Sequence, residues 1–205
     1  LHTIRRRQRQ MCIRDRYWDE QLVLIEPIIT ELNKQICNKL NEQLSNSEVV
    51  GVFLEKNPWL RQLSINYLPG FSENTQFSDV LARNLEKDTI LKRTSSGPHK
   101  RSFDILLDNK LANETLSRGQ QKIISIILHL IQREIIKTNT DLDPILLMDD
   151  ISSELDKENS NLMLKYLINN SVQTIMTSIE KAHFGTQKDV FLFHVEHKGE
   201  TSYVK

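Results

Sequence analysis

Cysteine and long apolar runs are both scarce in this chain of 205 residues. Its two cysteines, Cys12 and Cys37, form no C-x-x-C pair, so the sequence has neither the disulfide framework of small secreted proteins nor a zinc-type cysteine pair. The longest apolar stretch, residues 123–131, contains a serine and a histidine and is far shorter than the roughly 18 to 20 apolar residues that span a bilayer. We therefore predict a cytoplasmic protein without a membrane segment.

Glycine is scarce as well. The six glycines are at positions 51, 70, 97, 119, 185 and 199, and no two of them are five residues apart. A phosphate-binding loop of the form G-x-x-x-x-G-K-[ST] is therefore absent from this sequence. Any nucleotide chemistry in which the chain takes part would need that loop from elsewhere.

The net charge of zero hides an uneven distribution. Residues 1–16 contain six arginines and one acid, and the remaining chain has 21 basic and 26 acidic residues, a net charge of −5. An arginine-rich start could be a nucleic-acid-binding arm or a targeting segment, but this one begins with Leu1 and has no apolar periodicity, which favours foreign or mistranslated sequence. We assign it no function.

A long amphipathic helix is predicted from Trp18 onward. Its apolar residues recur every three or four positions, at Leu22, Ile25, Ile29, Leu32, Ile36, Leu40 and Leu44. Because Pro27 interrupts a repeat of barely three heptads, ordinary core packing is a better interpretation of this stripe than a coiled coil with a partner. We predict a helical lobe over residues 17–93, with a strand over 63–67 and a second helix over 78–90 capped by Ser78.

Helices and strands alternate in the second half. The patterns predict a strand over residues 103–107, then helix 117–137, strand 145–148, helix 157–169 and strand 172–176, followed by a hairpin of strands 190–195 and 201–204. Alternation of this kind is typical of an α/β fold with parallel strands. We place the boundary of this second domain at residues 94–205.

Two carboxylates follow the strand at 145–148. Four apolar residues and then Asp149 and Asp150 are what a buried central strand looks like when it delivers acids to its C-terminal end, where open α/β sheets bind ligands. Carboxylate oxygens there suit a hard cation such as Mg²⁺. The same six residues also fit a strand that merely ends in an acidic loop.

Two more segments are candidates for chemistry. Leu116-Ser117-Arg118-Gly119-Gln120 opens a long helix, and its capping serine and its glycine suit an anion at the helix N-terminus. Ser152-Ser153-Glu154-Leu155-Asp156 directly follows the acid pair. Each segment alone is equally consistent with an ordinary capped helix, and their order along the chain is the more specific signal.

In that order, LSRGQ, ILLMDD and SSELD resemble the signature motif, Walker B strand and D-loop of ABC-type ATPases, over roughly residues 17–205. Arg118 stands where a glycine is usual, Asp150 where a glutamate is usual, and Ile151 where a proline is usual. Those departures, together with Gly97-Pro98-His99-Lys100 upstream, resemble the RecF branch of that superfamily. The resemblance implies an α/β fold, the C-terminal half of an ABC-type ATPase head with a helical lobe at its N-terminal side.

The resemblance also implies roles for individual residues. Asp149 would support Mg²⁺, and Asp150 would orient or activate the attacking water. The signature residues Ser117, Arg118, Gly119 and Gln120 would contact the γ-phosphate of ATP held by a partner subunit. Ser153 and Asp156 would lie at the dimer interface, Thr177 or Ser178 would occupy the switch position, and His99 and Lys100 are weaker candidates.

The function implied by the resemblance is an ATP-dependent clamp in DNA repair and replication. Such a protein uses ATP and Mg²⁺, closes as a homodimer on single-stranded or gapped DNA, and works with a RecR-type recombination mediator to load the recombinase. The intact protein would be a weak DNA-dependent ATPase, whereas this chain alone is expected to be inactive and to bind DNA poorly. A different ABC- or SMC-type ATPase and a non-catalytic interaction module remain alternatives.

Overall fold

The computed structural model describes residues 2–72, 74–151, 155–179, 190–199 and 201–204, with the backbone alone for residues 2–16, 197–198, 201–202 and 204. The chain divides into two compact units. The first comprises residues 1–50 and 57–117, and the second comprises residues 51–56 and 118–205. Within the described ranges, no helix combines the length and the apolar character that crossing a membrane requires.

The first unit is built on a long helix and a three-stranded antiparallel sheet. Helix α1 (His2–Asn46) is followed by α2 (Glu48–Leu54), whose residues 51–54 belong to the second unit. A 3-10 turn (Pro58–Gln62) and strand β1 (Leu63–Leu68) come next in the first unit. Helix α3 (Phe77–Leu91), a second 3-10 turn (Pro98–Lys100), strands β2 (Ser102–Leu107) and β3 (Lys110–Leu111) and the short helix α4 (Ala112–Thr115) complete it. The order in the sheet is β1-β2-β3, with Leu63 opposite Leu107 and Leu68 opposite Ser102.

Helix α1 meets strand β1 through polar side chains. The Asn41 amide donates to the Ile65 carbonyl oxygen and accepts from the Ile65 amide nitrogen, both at 2.8 Å. The buried Cys37 thiol donates to the same carbonyl oxygen at 3.2 Å, and this burial raises the pKa of Cys37 despite opposing contributions from the Tyr67 backbone and Asn41 hydrogen bonds. These bonds supply β1, an edge strand of the sheet, with partners from helix α1.

The predicted packing of the α1 apolar stripe is wrong for most of its length. Leu22, Ile25, Leu32 and Ile36 are between 37% and 54% exposed, and only Leu44 at the C-terminal end is buried, at 5%. Glu26 and Cys37 are buried instead, at 8% and 6% exposure, and Val23 packs against the core cluster of Phe77. Periodicity located the stripe, but hydrogen bonding to β1 decided which face of the helix turns inward. Pro27 lies within the helix without ending it.

The remaining elements of the first unit fall close to their predicted positions. The predicted strands at 63–67 and 103–107 are β1 and β2, and helix α3 begins at Phe77. Its N-cap residue is Gln76, so the prediction of Ser78 as the cap is wrong. Because β1 pairs with β2, residues on both sides of the predicted boundary at residue 93 share one sheet. The division into a helical lobe over residues 17–93 and a second domain over residues 94–205 stays a prediction, whereas one boundary between the compact units follows Ser117.

The second unit has the predicted alternation of helix and strand. Helix α5 (Arg118–Asn139), strand β4 (Leu146–Met148), helix α6 (Lys157–Asn169) and strand β5 (Thr174–Met176) follow one another, and β4 and β5 are parallel. Both helices contribute apolar side chains that are almost fully buried: Ile127, Leu130 and Ile131 of α5, and Met163 and Leu164 of α6. The prediction of an α/β layer with parallel strands is confirmed.

Two details of the second unit differ from the predictions. Leu147 of β4 and Ile175 of β5 are paired in register and are 72% and 60% exposed, so β4 is not buried on both faces. The C-terminal hairpin is formed by β6 (Val195–Lys198) and β7 (Thr201–Val204) around Gly199, whereas residues 190–194 have no strand. The apolar pattern of Phe191 to Phe193 predicted a strand there, but these side chains are 58% to 85% exposed and find no pairing partner among the described strands.

Candidate functional site

The acid pair lies where the two parallel strands of the second unit end. Met148 and Met176 are register partners at the ends of β4 and β5. Beyond them, the Thr177 amide donates to the Met148 carbonyl oxygen at 3.0 Å, and the Ile151 amide donates to the Thr177 carbonyl oxygen at 3.1 Å. These backbone bonds continue the pairing past the strands and fix Asp149 and Asp150 beside Thr177.

The Thr177 hydroxyl group joins the two acids. It accepts a hydrogen bond from the Asp150 amide nitrogen at 2.8 Å and donates one to the Asp149 carboxylate oxygen Oδ1. Asp150 has a positive φ of 43°, a left-handed conformation that costs about 1 kcal/mol for a residue with a Cβ. The hydrogen bond from its amide to Thr177 offsets part of that cost and holds the backbone in this conformation.

A cavity of about 840 Å³ reaches from Asp149 to the N-terminal turns of α5. One wall is formed by β4 and Asp149. The opposite wall is one face of α5, whose polar members are Arg118, Gln121, Lys122, Ser125 and His129. The cavity thus has a carboxylate at the strand end and two cationic side chains on the helix, a combination suited to a phosphate group together with a cation.

The signature residues lie on the surface around the start of α5. Ser117, Arg118 and Gly119 are exposed and Gln120 is half-buried. A Cβ atom added at Gly119 would have no neighbour within 4 Å, so this face of the helix start is open to a ligand from outside the chain. Arg118 alone of the four lines the cavity, and Ser117 belongs to the first unit.

Asp156 caps helix α6 and forms an ion pair. Its carboxylate accepts from the Asn159 amide at 2.9 Å, from the Asn159 side chain at 2.8 Å and from Lys56 Nζ at 2.8 Å. Partial desolvation opposes ionisation, but these hydrogen bonds outweigh it and hold the pKa of Asp156 below its ordinary value. Lys56 is desolvated too, yet Asp156 and Glu158 raise the pKa of Lys56. Ser153, predicted beside Asp156, lies outside the described residues.

The Asp156 carboxylate should make the stability of the chain pH-dependent. A depressed folded-state pKa stabilises the protein above the unfolded-state pKa, and this contribution is lost as the pH falls through the folded-state pKa. Because the side chain is 57% exposed, we expect less than about 1 kcal/mol. Asparagine also caps helices well, so Asp156→Asn should remove this acid-dependent part, whereas Asp156→Ala should cost about 1 kcal/mol more through the lost cap.

Urea denaturation of the three proteins between about pH 5 and pH 2 measures this effect. Equal losses of stability in wild type and Asp156→Asn over that range would show that the Asp156 carboxylate contributes no acid-sensitive stabilisation. Glu158→Gln is the matched control, since Glu158 contacts the same Lys56 Nζ at 2.6 Å but its side chain is 77% exposed.

Sequence reasoning named Asp156 but missed its partner Lys56. The two residues are one hundred positions apart in the chain, so no local pattern connects them. His99 and Lys100 belong to the first unit and the acid pair to the second. There the His99 ring nitrogen Nε2 is 2.9 Å from the Thr94 carbonyl oxygen, a bond within the turn that contains Pro98.

The acid pair fits a magnesium ion that is held mainly by phosphate and water. The described residues contain no group of three or more His, Cys, Asp or Glu side chains that could enclose a metal ion. Mg²⁺ is commonly bound through one or two carboxylates together with substrate phosphates, rather than in an all-protein cage. Asp149 is exposed and its Oδ1 is oriented by Thr177, so it suits that kind of site.

Comparisons with known proteins show the family of the chain. The model of the RecF/RecN/SMC N terminal domain matches residues 29–202. The chain belongs to the RecF/RecN/SMC N-terminal domain family. Its parallel strand pair, its acid pair and the start of α5 all lie within the matched residues.

Curated relatives align with this RecF-like chain over most of its length. "DNA replication and repair protein RecF" of Shewanella halifaxensis is 34% identical over 166 residues, which are 81% of this chain and 44% of the relative. The protein of the same name from Shewanella sediminis is 30% identical over 187 residues, 88% of this chain and 49% of the relative. The chain therefore spans about half the length of these curated relatives.

Solved structures of RecF share the fold. The recombination mediator protein RecF-ATPrS of the RecFOR pathway aligns with a TM-score of 0.63 and 26% identity, over 80% of this chain and 45% of that one. The corresponding RecF-ATP structure aligns with a TM-score of 0.62 and 22% identity, over 80% and 44%. The predicted fold class, an α/β part of an ABC-type ATPase head with helices at its N-terminal side, is confirmed.

Proposed function

We propose that this chain provides the signature motif, Walker B acids and D-loop of an ATP-dependent DNA-repair protein of the RecF type. The single observation that supports this most strongly is the bonding of Asp149 and Asp150 to Thr177 at the carboxyl ends of two parallel strands. Ligands of open α/β sheets bind at such an edge. The family membership makes ATP the ligand of choice.

The two acids, Asp149 and Asp150, would have different roles in the reaction. Asp149 would hold Mg²⁺, which supplies charge neutralisation to the phosphate oxygens when bound. Asp150 follows directly, with its backbone fixed by Thr177, and would orient or activate the water that attacks the γ-phosphate. The phosphate-binding loop of the complete site has to come from residues outside this sequence.

The exposed start of α5 would act on the nucleotide of a second subunit. Ser117, Gly119 and Gln120 would contact the γ-phosphate in trans, with Arg118 adding positive charge, and the helix N-terminus favours an anion. Asp156 would lie near the dimer interface, where its pairing with Lys56 and its capping of α6 keep the D-loop end in place. ATP would thereby close a homodimer.

The complete protein would act in DNA replication and repair, the processes that the names of the relatives state for those proteins. The complete protein would bind single-stranded or gapped DNA as an ATP-closed dimer, with a RecR-type mediator as a further partner. Residues 17–205 have a net charge of −5. Since affinity for DNA depends largely on basic contacts to phosphates, we expect this chain alone to bind DNA weakly.

An association experiment with a longer relative tests the proposal. The chain would be mixed with RecF of Shewanella halifaxensis, and its co-sedimentation would be measured with ATP, with ADP and without nucleotide. We expect association with ATP only, because the exposed helix start can cover a nucleotide that the relative holds. Self-association of the relative in ATP is the positive control.

Two outcomes would count against the proposal. If the relative self-associates in ATP but never captures the chain, the signature surface is not functional in trans. If the chain is captured equally with and without ATP, the alternative of a non-catalytic interaction module is favoured. That alternative draws its support from the missing phosphate-binding loop, which leaves this chain unable to hold the nucleotide by itself.

A further inference from the structure

We infer that Thr177 is the positioning residue of the acid pair, setting the orientation of the Asp149 carboxylate and the backbone of Asp150 at the proposed Mg²⁺ site. This inference rests on the proposed function, since a positioning residue has meaning only if Asp149 receives a cation. It also separates Thr177 from Ser178, its neighbour at the predicted switch position.

One hydroxyl group serves both acids. Its proton is donated to the Asp149 oxygen Oδ1, and its oxygen accepts from the Asp150 amide nitrogen at 2.8 Å. A hydroxyl group can donate one bond while accepting others, so both contacts exist together. The hydrogen bond between Thr177 and Asp149 joins residues 28 positions apart in sequence and links the ends of neighbouring strands.

The backbone around the hydroxyl group is itself well fixed. The Thr177 amide is bonded to the Met148 carbonyl oxygen at 3.0 Å, and its carbonyl oxygen accepts from the Ile151 amide at 3.1 Å. Thr177 therefore contacts the segment on both sides of the acid pair. Its β-branched side chain has few χ1 rotamers, which favours a single direction for the hydroxyl group.

Holding one carboxylate oxygen directs the other. With Oδ1 occupied by Thr177, the carboxylate of Asp149 cannot turn freely about its χ2 angle, and Oδ2 keeps one direction for a cation. Groups that orient a metal ligand typically change metal affinity or activity by about 10- to 100-fold when they are removed. Valine has nearly the shape of threonine and lacks the hydroxyl group, so Thr177→Val removes both bonds with little change in volume.

Paramagnetic broadening by Mn²⁺ in NMR spectra of the ¹⁵N-labelled chain tests the inference without ATP turnover. Mn²⁺ replaces Mg²⁺ at carboxylate sites and broadens nearby amide signals even when it binds weakly. We expect broadening centred on residues 148–151 and 177 in the wild type. Thr177→Val should need about tenfold more Mn²⁺ for the same effect, and Thr177→Ser should restore the wild-type response.

Thr174→Val is the matched control. Thr174 lies on the same strand, and its hydroxyl group donates to the Val172 carbonyl oxygen at 3.1 Å, away from the acids. The amide signals of this variant should broaden at the same Mn²⁺ concentrations as those of the wild type. Thermal melting of all variants separates an effect on metal affinity from a general loss of stability, and Thr177→Ala replaces Thr177→Val if the latter does not fold.

Each outcome decides one claim. Unchanged Mn²⁺ response in Thr177→Val and Thr177→Ala, with broadening at Asp149 in the wild type, overturns the positioning role and leaves the metal assignment of the proposed function intact. Absence of broadening at Asp149 in the wild type overturns the metal assignment, and the positioning role with it. A response that Thr177→Ser fails to restore also contradicts the inference, because serine keeps the hydroxyl group.

Discussion

Arg133→Ala is expected to lower the free energy of unfolding of the second unit by about 2 kcal/mol, within the range for losing the hydrogen bonds of a buried charged group. Arg133 is 4% exposed and lies in the C-terminal half of α5, after the buried apolar residues of that helix. Its guanidinium group donates to the Pro144 carbonyl oxygen at 3.2 Å, to Glu134 Oε1 at 2.6 Å and to Asp143. The alanine variant leaves all three acceptors without this donor.

The bonds of Arg133 also hold the connection between α5 and β4, the strand that precedes the acid pair. Pro144 and Asp143 directly precede Ile145 and β4, so the guanidinium group anchors the connection between α5 and that strand. Glu134 in turn accepts from the Tyr166 hydroxyl group of α6 at 3.1 Å. One buried side chain thus stabilises three successive elements of the unit.

Lys137→Ala is the matched control for Arg133→Ala. Lys137 pairs with the same Asp143 at 3.3 Å, but its side chain is 42% exposed, and exposed ion pairs contribute at most about 1 kcal/mol. Urea denaturation followed by circular dichroism measures both variants. A loss below about 1 kcal/mol for Arg133→Ala would place it in the range of a surface pair and would contradict a central role for its bonds.

Gly119→Asp should weaken the ATP-dependent association of the chain with the longer relative by a factor of about 100 or more in affinity. The substitution adds a carboxylate to the surface that is proposed to cover the γ-phosphate of the partner subunit. Juxtaposed like charges at an interface cost several kcal/mol, and a factor of 100 corresponds to about 2.7 kcal/mol. Co-sedimentation with ATP, measured as for the wild type, gives the result.

The folding of the chain should be unaffected by this substitution. An added Cβ atom at Gly119 meets nothing within 4 Å, and an acidic residue in the first turn of a helix interacts favourably with its dipole. Gly51→Asp is the matched control, because Gly51 is also helical and exposed with no neighbour within 4 Å of an added Cβ atom. Association of Gly119→Asp at the wild-type level would remove the signature surface from the proposed mechanism.

Local patterns located most elements because the residues that specify them are close together in sequence. The α6 prediction matches its bounds, Lys157–Asn169, and β7 matches Thr201–Val204, each bordered by turn or capping residues. The prediction for β6 failed because the apolar Phe191 to Phe193 indicate strand propensity, while strand formation depends on a pairing partner. Propensity is local, and pairing is not.

The sequence by itself determined the α/β alternation, the absence of a phosphate-binding loop and the order of signature, acid pair and D-loop. Each helix, strand and motif is specified by residues a few positions apart in the sequence. The order of the motifs along the chain is sufficient to predict the family. Only the tertiary structure decided which face of α1 turns inward, because that choice depends on the bonds of Asn41 and Cys37 to Ile65, which lies in a later strand.

The same is true of the site. Asp149 and Asp150 are readable from the sequence, but Thr177 and Lys56 acquire their roles through contacts 28 and 100 positions away from the acids they bind. Contacts at such distances arise only when strands pair and helices pack, since a hydrogen bond requires its two atoms within about 3 Å of each other. The sequence therefore determined which acids the site contains, and the fold decided which side chains hold them in place.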